Sequence, residues 1–156
     1  MAASSNPAGD AGLVNRPSLT LKRHLKAEPA KIYAAWTDPQ KIARWFAPAS
    51  ARADSGHAVI DARVGGRFRV GFVMENGENF EVGGVYREMV PNRRLVFSWA
   101  WHTTPERESQ VTVALQPDGD GTLLTLHHEQ LFDQAACDSH ERGWNNALDK
   151  LEKLAA

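Results

Sequence analysis

The chain has 156 residues, of which 42% are hydrophobic and 24% charged, a length and balance typical of one domain with a sizeable core. Its 18 Lys and Arg residues nearly balance 19 Asp and Glu residues, so no broad positive charge points to nucleic acid as a partner. Cys137 is the only cysteine, which excludes an intramolecular disulfide and favours a reducing compartment.

The N-terminal residues predict no secretory signal, and we assign no role to the two basic pairs of the chain. The N-terminus lacks the features of a secretory signal, and no stretch is long and apolar enough for a membrane span, so we expect a cytoplasmic protein with no membrane partner. Residues 1–17, rich in Ala, Ser, Gly, Pro and Asn, predict a flexible leader, and residues 18–156 predict the single folded domain. The pairs Lys22-Arg23 and Arg93-Arg94 are typical of a solvated surface.

The first part of the domain combines one strand with two short helices. Alternating apolar residues predict a strand over residues 18–26. Pro29 favours the start of a helix, because proline needs no N–H partner in a first turn. Asp38 ends that helix and caps a second one, which Pro48 ends in turn.

The middle of the chain predicts six strands joined as a meander, because apolar residues recur with a period of two between turn signals. The strands are predicted over residues 58–61, 67–75, 80–90, 94–101, 108–116 and 122–129. Asn76-Gly77 predicts a hairpin with a tight type I′ turn, and residues 117–121 predict a loop. Gly83-Gly84 predicts either a bulge or a close approach of another group to the backbone.

A long helix ends the chain. Its start is predicted between Asp133 and Ser139, because Asp133 and the pair formed by Asp138 and Glu141 both suit an N-terminal cap. The stripe predicted to face the sheet consists of His140, Trp144, Ala147, Leu148 and Leu151. This helix is the only element long enough to cover the apolar face of the sheet. The sequence therefore predicts an α+β fold in which a curved antiparallel sheet wraps around the C-terminal helix and leaves a gap beside it.

Several segments in this order carry a resemblance to a known family. They are residues 32–39 (IYAAWTDP), 44–48 (RWFAP), 61–68 (DARVGGRF), 84–91, 94–99, 124–129 and 140–144. Their order and spacing resemble START-like domains of the SRPBCC superfamily, in the branch related to the activator of the heat-shock protein 90 ATPase. The resemblance implies a helix-grip fold, with two small helices closing one end and the C-terminal helix forming a cavity wall. It also implies a binder of small hydrophobic molecules, an enzyme or a co-chaperone module.

Large aromatic residues on the inner faces predict an apolar, flat-walled cavity for an aromatic molecule. An ordinary core gives the same pattern, and we expect leucines to form the core and the Trp and Phe residues nearest the helix to line the cavity. The ligand-binding residues predicted on the sheet and the last helix are Phe68, Phe72, Phe80, Tyr86, Phe97, Trp99, Trp101, Val113, His128, His140 and Trp144. Trp36, Trp45 and Phe46 on the short helices are predicted to form the mouth.

His128 and His140 are the polar residues of interest on the inner side. Each suits either a ligand-orienting group or general base, or a buried histidine bonded within the core. No metal is predicted, because His127 and His128 are adjacent in a strand and point to opposite faces. Cys137 and His140 lack a third orienting group, so we predict neither catalytic residues nor a cofactor.

The function predicted from the sequence is non-enzymatic binding of a small apolar or aromatic molecule between the sheet and the C-terminal helix. Two alternatives stay open. One is an enzyme on the same scaffold, of a hydrolase or cyclase-like kind, that uses His128. The other is an interaction module that activates a chaperone ATPase. A homodimer is also compatible with the sequence, because the edges of an open sheet need protection.

Overall fold

The computed structural model describes residues 16–155, so that residues 1–15 of the predicted leader lie outside the described residues. The elements are β1 (Leu19–Leu25), α1 (Pro29–Thr37), α2 (Pro39–Trp45), β2 (His57–Ile60), β3 (Arg67–Val73), β4 (Asn79–Val90), β5 (Arg94–Trp101), β6 (Ser109–Asp118), β7 (Gly121–Glu129) and α3 (Gln134–Ala155). The seven strands form one antiparallel sheet in the order β1-β7-β6-β5-β4-β3-β2. The predicted sequence of one strand, two helices, a six-stranded meander and a long helix is observed.

The core lies between the inner face of the sheet and α3. The buried inner residues of β5, β6 and β7 are Leu95, Phe97, Trp99, Val111, Val113, Leu115, Leu124, Leu126 and His128. The helix buries Cys137, Trp144, Ala147, Leu148, Leu151 and Ala155 against them. Each large apolar side chain in this layer contributes about 1.5–3 kcal/mol by leaving water. Within residues 16–155, no helix is long and apolar enough to cross a membrane.

Polar contacts attach α3 to β1 on one side and to the segment after α2 on the other. Arg23 of β1 donates to Asp149 at 2.8 Å and to Asn145 Oδ1 at 3.0 Å, with about 20% of its side chain exposed. The assignment of Arg23 to a purely solvated surface is therefore wrong. On the other side, Lys150 donates from Nζ to the carbonyl of Ala47 at 2.7 Å. The helix is thus tied to β1 and to the segment that follows α2.

The hairpin between β3 and β4 lies where the sequence predicts it, but its turn is of another type. Gly77 has a φ of 89°, whereas Asn76 is not among the residues with positive φ. Gly77 N donates to Met74 O at 2.9 Å, and Met74 N donates to Glu78 O at 2.8 Å. These bonds define a type I turn followed by a left-handed glycine, and only one position then needs positive φ.

The connection between β6 and β7 is shorter than predicted. Pro117 and Asp118 belong to β6 and pair with Thr122 and Gly121, which leaves only residues 119–120 between the strands. The proline is accepted because the partner strand β5 begins at Arg94, opposite Ala114, and so does not reach it.

Gly84 marks a close approach of two backbones rather than a bulge. The register shift in β4 lies between Tyr86 and Glu88, beyond the glycine pair. A Cβ added to Gly84 would lie 1.9 Å from the carbonyl oxygen of Ser98 in β5. Of the two interpretations of the Gly83-Gly84 pair, the structure shows the second.

The start of α3 is set by Asp133. Its Oδ1 atom accepts the backbone N–H of Ala136 at 2.8 Å, the bond of an N-terminal cap. Asp138 lies inside the helix, where it accepts from Gln134 Nε2 at 2.9 Å, so the alternative cap at Asp138 and Glu141 is wrong.

Candidate functional site

A cavity of about 360 Å³ lies between the sheet, α3 and the segment after α2, and we call it the outer cavity. Its aromatic walls are Phe46, Phe72, Phe80, Trp99, Trp101 and Trp144. Its other lining residues are Pro48, Thr103, Thr104, Ser139, His140, Gly143 and Ala147. Thr103, Ser139 and Gly143 are exposed, which places the mouth between the β5–β6 connection and the first half of α3. The volume falls within the lower range of small-molecule sites.

The register of the sheet brings the aromatic walls together. Phe72 of β3 pairs directly with Phe80 of β4, and their ring centroids are 5.7 Å apart. Trp99 and Trp101 share one face of β5 because they are two residues apart, with centroids 5.9 Å apart. Phe46 reaches the cavity from the end of α2, and its ring centroid lies 5.8 Å from that of Trp99.

A second space of about 20 Å³, the inner gap, lies deeper in the core. Its lining is Trp36, Ile42, Phe46, Ile60, Phe68, Val70, Tyr86, Leu95, Phe97, Trp99 and Trp144. Phe46, Trp99 and Trp144 border both the outer cavity and the inner gap. The two spaces are therefore neighbours, divided by these three side chains.

His128 is fully buried and both of its ring nitrogens are bonded. Trp144 Nε1–H donates to His128 Nδ1 at 3.0 Å, so the imidazole proton is assigned to Nε2. His128 Nε2 lies 2.7 Å from Ser109 Oγ, and the Ser109 hydroxyl donates to the carbonyl of Trp99 at 3.2 Å. These bonds form a continuous chain from α3 through β7 and β6 to β5. Burial, and after it the neighbouring His140, lowers the pKa of His128 well below its ordinary value.

His140 occupies the edge of the outer cavity and is bonded in the same way. Its Nδ1–H group donates to the carbonyl of Ala136 at 2.7 Å, and its Nε2 atom accepts a hydrogen bond from Trp101 Nε1–H at 3.0 Å. Burial lowers the pKa of His140, although the bond to Ala136 acts in the opposite direction. Both histidines are thus neutral acceptors that hold tryptophans of the cavity wall.

Two of the five tryptophans have no partner for their indole N–H groups. Trp45 donates to the carbonyl of Ala35 at 3.0 Å, and the partners of Trp101 and Trp144 are His140 and His128. Among residues 16–155, the buried side-chain polar atoms without a hydrogen-bond partner are Nε1 of Trp36 and Nε1 of Trp99. Both tryptophans border the inner gap.

The structure divides the predicted ligand-binding residues into three groups. The outer cavity is lined by Phe46, Phe72, Phe80, Trp99, Trp101, His140 and Trp144. The inner gap brings in Trp36, Phe68, Tyr86 and Phe97. Trp45, Val113 and His128 border neither space. Trp36 and Trp45 are buried away from the mouth, because α1 and α2 close the opposite end of the core.

Several lining residues were missed by the sequence reasoning. Ala147 belongs to the stripe predicted to face the sheet but was not predicted to bind a ligand, whereas Gly143, three residues after His140, lies on the same face and was not predicted at all. Thr103 and Thr104 lie in a connection whose path depends on the fold, and the sequence carried no signal for them.

The curved antiparallel sheet around one long helix, with an aromatic cavity between them, defines a START-like helix-grip protein. Solved structures of other proteins share this fold. Protein CV1439 from Chromobacterium violaceum is 27% identical, with a TM-score of 0.77 over 88% of this chain and 96% of that one. The AHSA1 protein from Silicibacter pomeroyi is 28% identical, with a TM-score of 0.73 over 88% and 96% of the two chains. CalU16 from Micromonospora echinospora is 30% identical, with a TM-score of 0.67 over 90% and 77%.

Within this class, the sequence profile of one family, "Activator of Hsp90 ATPase homolog 1-like protein", matches residues 26–156. The chain belongs to this family. The match confirms the resemblance found in the sequence, and the neighbours confirm the predicted helix-grip fold. No curated protein sequence matches the chain.

Proposed function

We propose that the protein binds a small, flat, apolar molecule in the outer cavity and does not transform it. The observation that carries the proposal is a space of about 360 Å³ whose walls are six aromatic side chains. Aromatic rings offer a large apolar area at a low entropy cost, and they suit a flat ligand. The family provides a scaffold that fits ligand binding.

The binding free energy would come mainly from removing apolar surface from water, at about 25 cal/mol per Å². Fixed walls lower the entropy cost of binding, because less side-chain freedom is lost when the ligand binds. Trp101 is held by its bond to His140, and Trp144 is held by its bond to His128. The two histidines therefore support binding by positioning the wall.

An enzymatic role through His128 finds no support in these contacts. Its two ring nitrogens are engaged, and its side chain does not border the outer cavity. His140 borders the cavity, but its nitrogens are also engaged. The chaperone-directed function and the homodimer stay predictions.

A cavity-filling variant tests the proposal. Gly143 lies in α3 on the cavity lining, and a Cβ added there meets no atom within 4 Å. Gly143→Leu therefore adds an apolar side chain at the cavity lining, where we expect it to take up space that a ligand would occupy. We expect the unmodified protein to bind one molecule of the three-ring hydrocarbon fluorene in equilibrium dialysis. Gly143→Leu should bind it at least about tenfold more weakly, a loss of about 1.4 kcal/mol.

Asn146→Leu is the matched control, because Asn146 is exposed on the same helix and does not border the cavity. It adds the same side chain elsewhere and should bind fluorene like the unmodified protein. Equal binding by Gly143→Leu and Asn146→Leu would refute the outer cavity as the site. Native mass spectrometry of freshly purified protein provides a second readout, in which a bound apolar molecule would add its mass to the protein and be absent from Gly143→Leu.

A further inference from the structure

Two hydrogen-bond donors in the apolar interior lack an acceptor. Trp36 and Trp99 are 3% and 4% exposed, and their Nε1 atoms have no partner. Native proteins rarely leave buried polar groups unpaired, and an exception in a cavity wall suggests a partner that arrives from outside the chain. The other three indole N–H groups, including two in the wall of the outer cavity, are bonded within the chain.

The two tryptophans are connected to the outer cavity through the inner gap. Both residues border the inner gap, and Trp99 also borders the outer cavity. The gap of about 20 Å³ has space for one oxygen atom of the size of a water molecule, and not for a ring. A ligand lying in the outer cavity would reach the gap between Phe46, Trp99 and Trp144, the side chains that the two spaces share.

The lack of charged side chains around the two spaces decides whether the ligand oxygen is charged or neutral. Neither the outer cavity nor the inner gap is lined by Lys, Arg, Asp or Glu. A carboxylate or phosphate would lose its hydration there without meeting a cation, which makes burial of an anion costly. A neutral carbonyl oxygen needs only donors, and indole N–H groups are donors without acceptor capacity.

We propose that the ligand is a flat aromatic molecule with a neutral carbonyl oxygen at its inner end, and that the Nε1–H groups of Trp99 and Trp36 donate to that oxygen. The proposal rests on the proposed binding function and adds the chemical class of the ligand. The aromatic rings occupy the outer cavity, and the oxygen occupies the inner gap.

Fluorene and 9-fluorenone form the test pair, because they share three flat rings and differ by a methylene group in place of a carbonyl. Water solvates the carbonyl better, so a cavity without donors would prefer fluorene. We expect equilibrium dialysis to show fluorenone binding about tenfold more tightly than fluorene, the effect of one well-made hydrogen bond.

Variants that remove one indole N–H group test whether Trp99 and Trp36 cause the preference for fluorenone over fluorene. Trp99→Phe and Trp36→Phe each remove one indole N–H, and both should lower the preference for fluorenone several-fold. Trp45→Phe is the control, because its N–H is bonded to Ala35 and it borders neither space, so the preference should persist. Fluorene binding reports in each case that the cavity has formed. If Trp99→Phe does not fold, replacement of Trp99 by 3-benzothienylalanine keeps the ring shape and substitutes sulfur for the N–H.

The results separate this proposal from the function on which it rests. Binding of fluorene with equal or weaker binding of fluorenone would overturn the carbonyl proposal and leave the binding function intact, and this is also the result if a resident water keeps the two donors. Binding of neither compound would overturn both. A preference that survives in both Trp99 and Trp36 variants would place the donor elsewhere and overturn the proposal.

Discussion

His128 illustrates how one buried polar residue organises its neighbourhood. It accepts a hydrogen bond from the indole N–H of Trp144 on the helix and contacts the hydroxyl of Ser109 on the adjacent strand. Its ring thereby links α3 to the sheet through bonds that have no competition from water. Breaking one of these bonds leaves a buried group without a partner, and this is more costly than the bond itself is stabilising.

The two buried histidines predict a dependence of stability on pH. Burial lowers the pKa values of His128 and His140 in the folded protein, so below about pH 6.5, the ordinary histidine value, the unfolded chain binds more protons than the folded one. The free energy of unfolding should therefore fall as the pH drops from about 6.5, by at most about 1.4 kcal/mol per pH unit for each histidine.

Guanidinium chloride unfolding between pH 7.5 and pH 5.5 measures this slope. His128→Gln removes the share of His128, so its stability should fall less steeply over the same range, from a lower starting value at neutral pH. Parallel pH profiles for His128→Gln and the unmodified protein would contradict the account.

A pair of hydroxyl deletions separates the buried bond from an exposed one. Ser109→Ala leaves His128 Nε2–H and the carbonyl of Trp99 without their partner, and we expect the free energy of unfolding to drop by about 1–3 kcal/mol. Thr20→Ala removes a similar contact on the exposed face of the sheet, where Thr20 Oγ1 lies 2.8 Å from Nδ1 of His127, the neighbour of His128 in the chain. It should change the stability by less than about 0.5 kcal/mol. Similar losses in the two variants, measured by chemical unfolding, would show that His128 is not the anchor described.

At the level of elements, β4 and β5 meet at a point where only glycine fits. Gly84 approaches the Ser98 carbonyl so closely that a Cβ would lie 1.9 Å from its oxygen, and the Ser98 hydroxyl accepts Val85 N–H at 2.9 Å instead of a regular ladder bond. The site lies beside Trp99 on β5, so this contact also positions a wall of the cavity.

Two glycine-to-alanine changes should act in opposite directions. Gly84→Ala forces the backbones apart, and we expect a loss of about 1–3 kcal/mol or more. Gly143→Ala lies in a helix with open space around it, and it should raise the stability by about 0.5–1 kcal/mol. Thermal unfolding of both variants measures the difference. A neutral Gly84→Ala would contradict the close approach.

The sequence predicts those elements whose pattern is local. Alternation in β5 identifies the face shared by Trp99 and Trp101, and the helical period identifies Trp144 on the inner side of α3. The hairpin at residues 76–77 was located correctly, but its type depends on how the strands pair. Periodicity alone does not distinguish a glycine placed for a bulge from one placed for a neighbouring strand, as Gly84 shows.

The candidate site was harder to predict, because it depends on contacts between distant parts of the chain. The alternation of residues in β7 places His128 on the inner face of the sheet. Only the fold shows that Trp144 and Ser109 form hydrogen bonds with its two ring nitrogens. The position of the mouth at Thr103 likewise follows from where the β5–β6 connection meets α3. How far a residue lies from the mouth of the cavity is set by tertiary packing, and the alternation of apolar residues in the sequence does not indicate it.

For the molecule as a whole, the sheet and α3 form a scaffold that is packed at one end and open at the other. The short helices close the core around Trp36 and Trp45, whose rings are 4.7 Å apart. Toward the other end the same interface widens into the outer cavity. The scaffold thus combines a packed core with a preformed aromatic cavity, and we propose that a flat aromatic molecule occupies that cavity.

Fluorine NMR of protein labelled with 5-fluorotryptophan tests this claim directly, since the chain has five tryptophans and Trp→Phe variants assign each resonance. On saturation with fluorene, we predict that the resonances of Trp99, Trp101 and Trp144 move and that the resonance of Trp45 does not. Unchanged resonances for the three wall tryptophans, or a dominant change at Trp45, would contradict binding in the outer cavity.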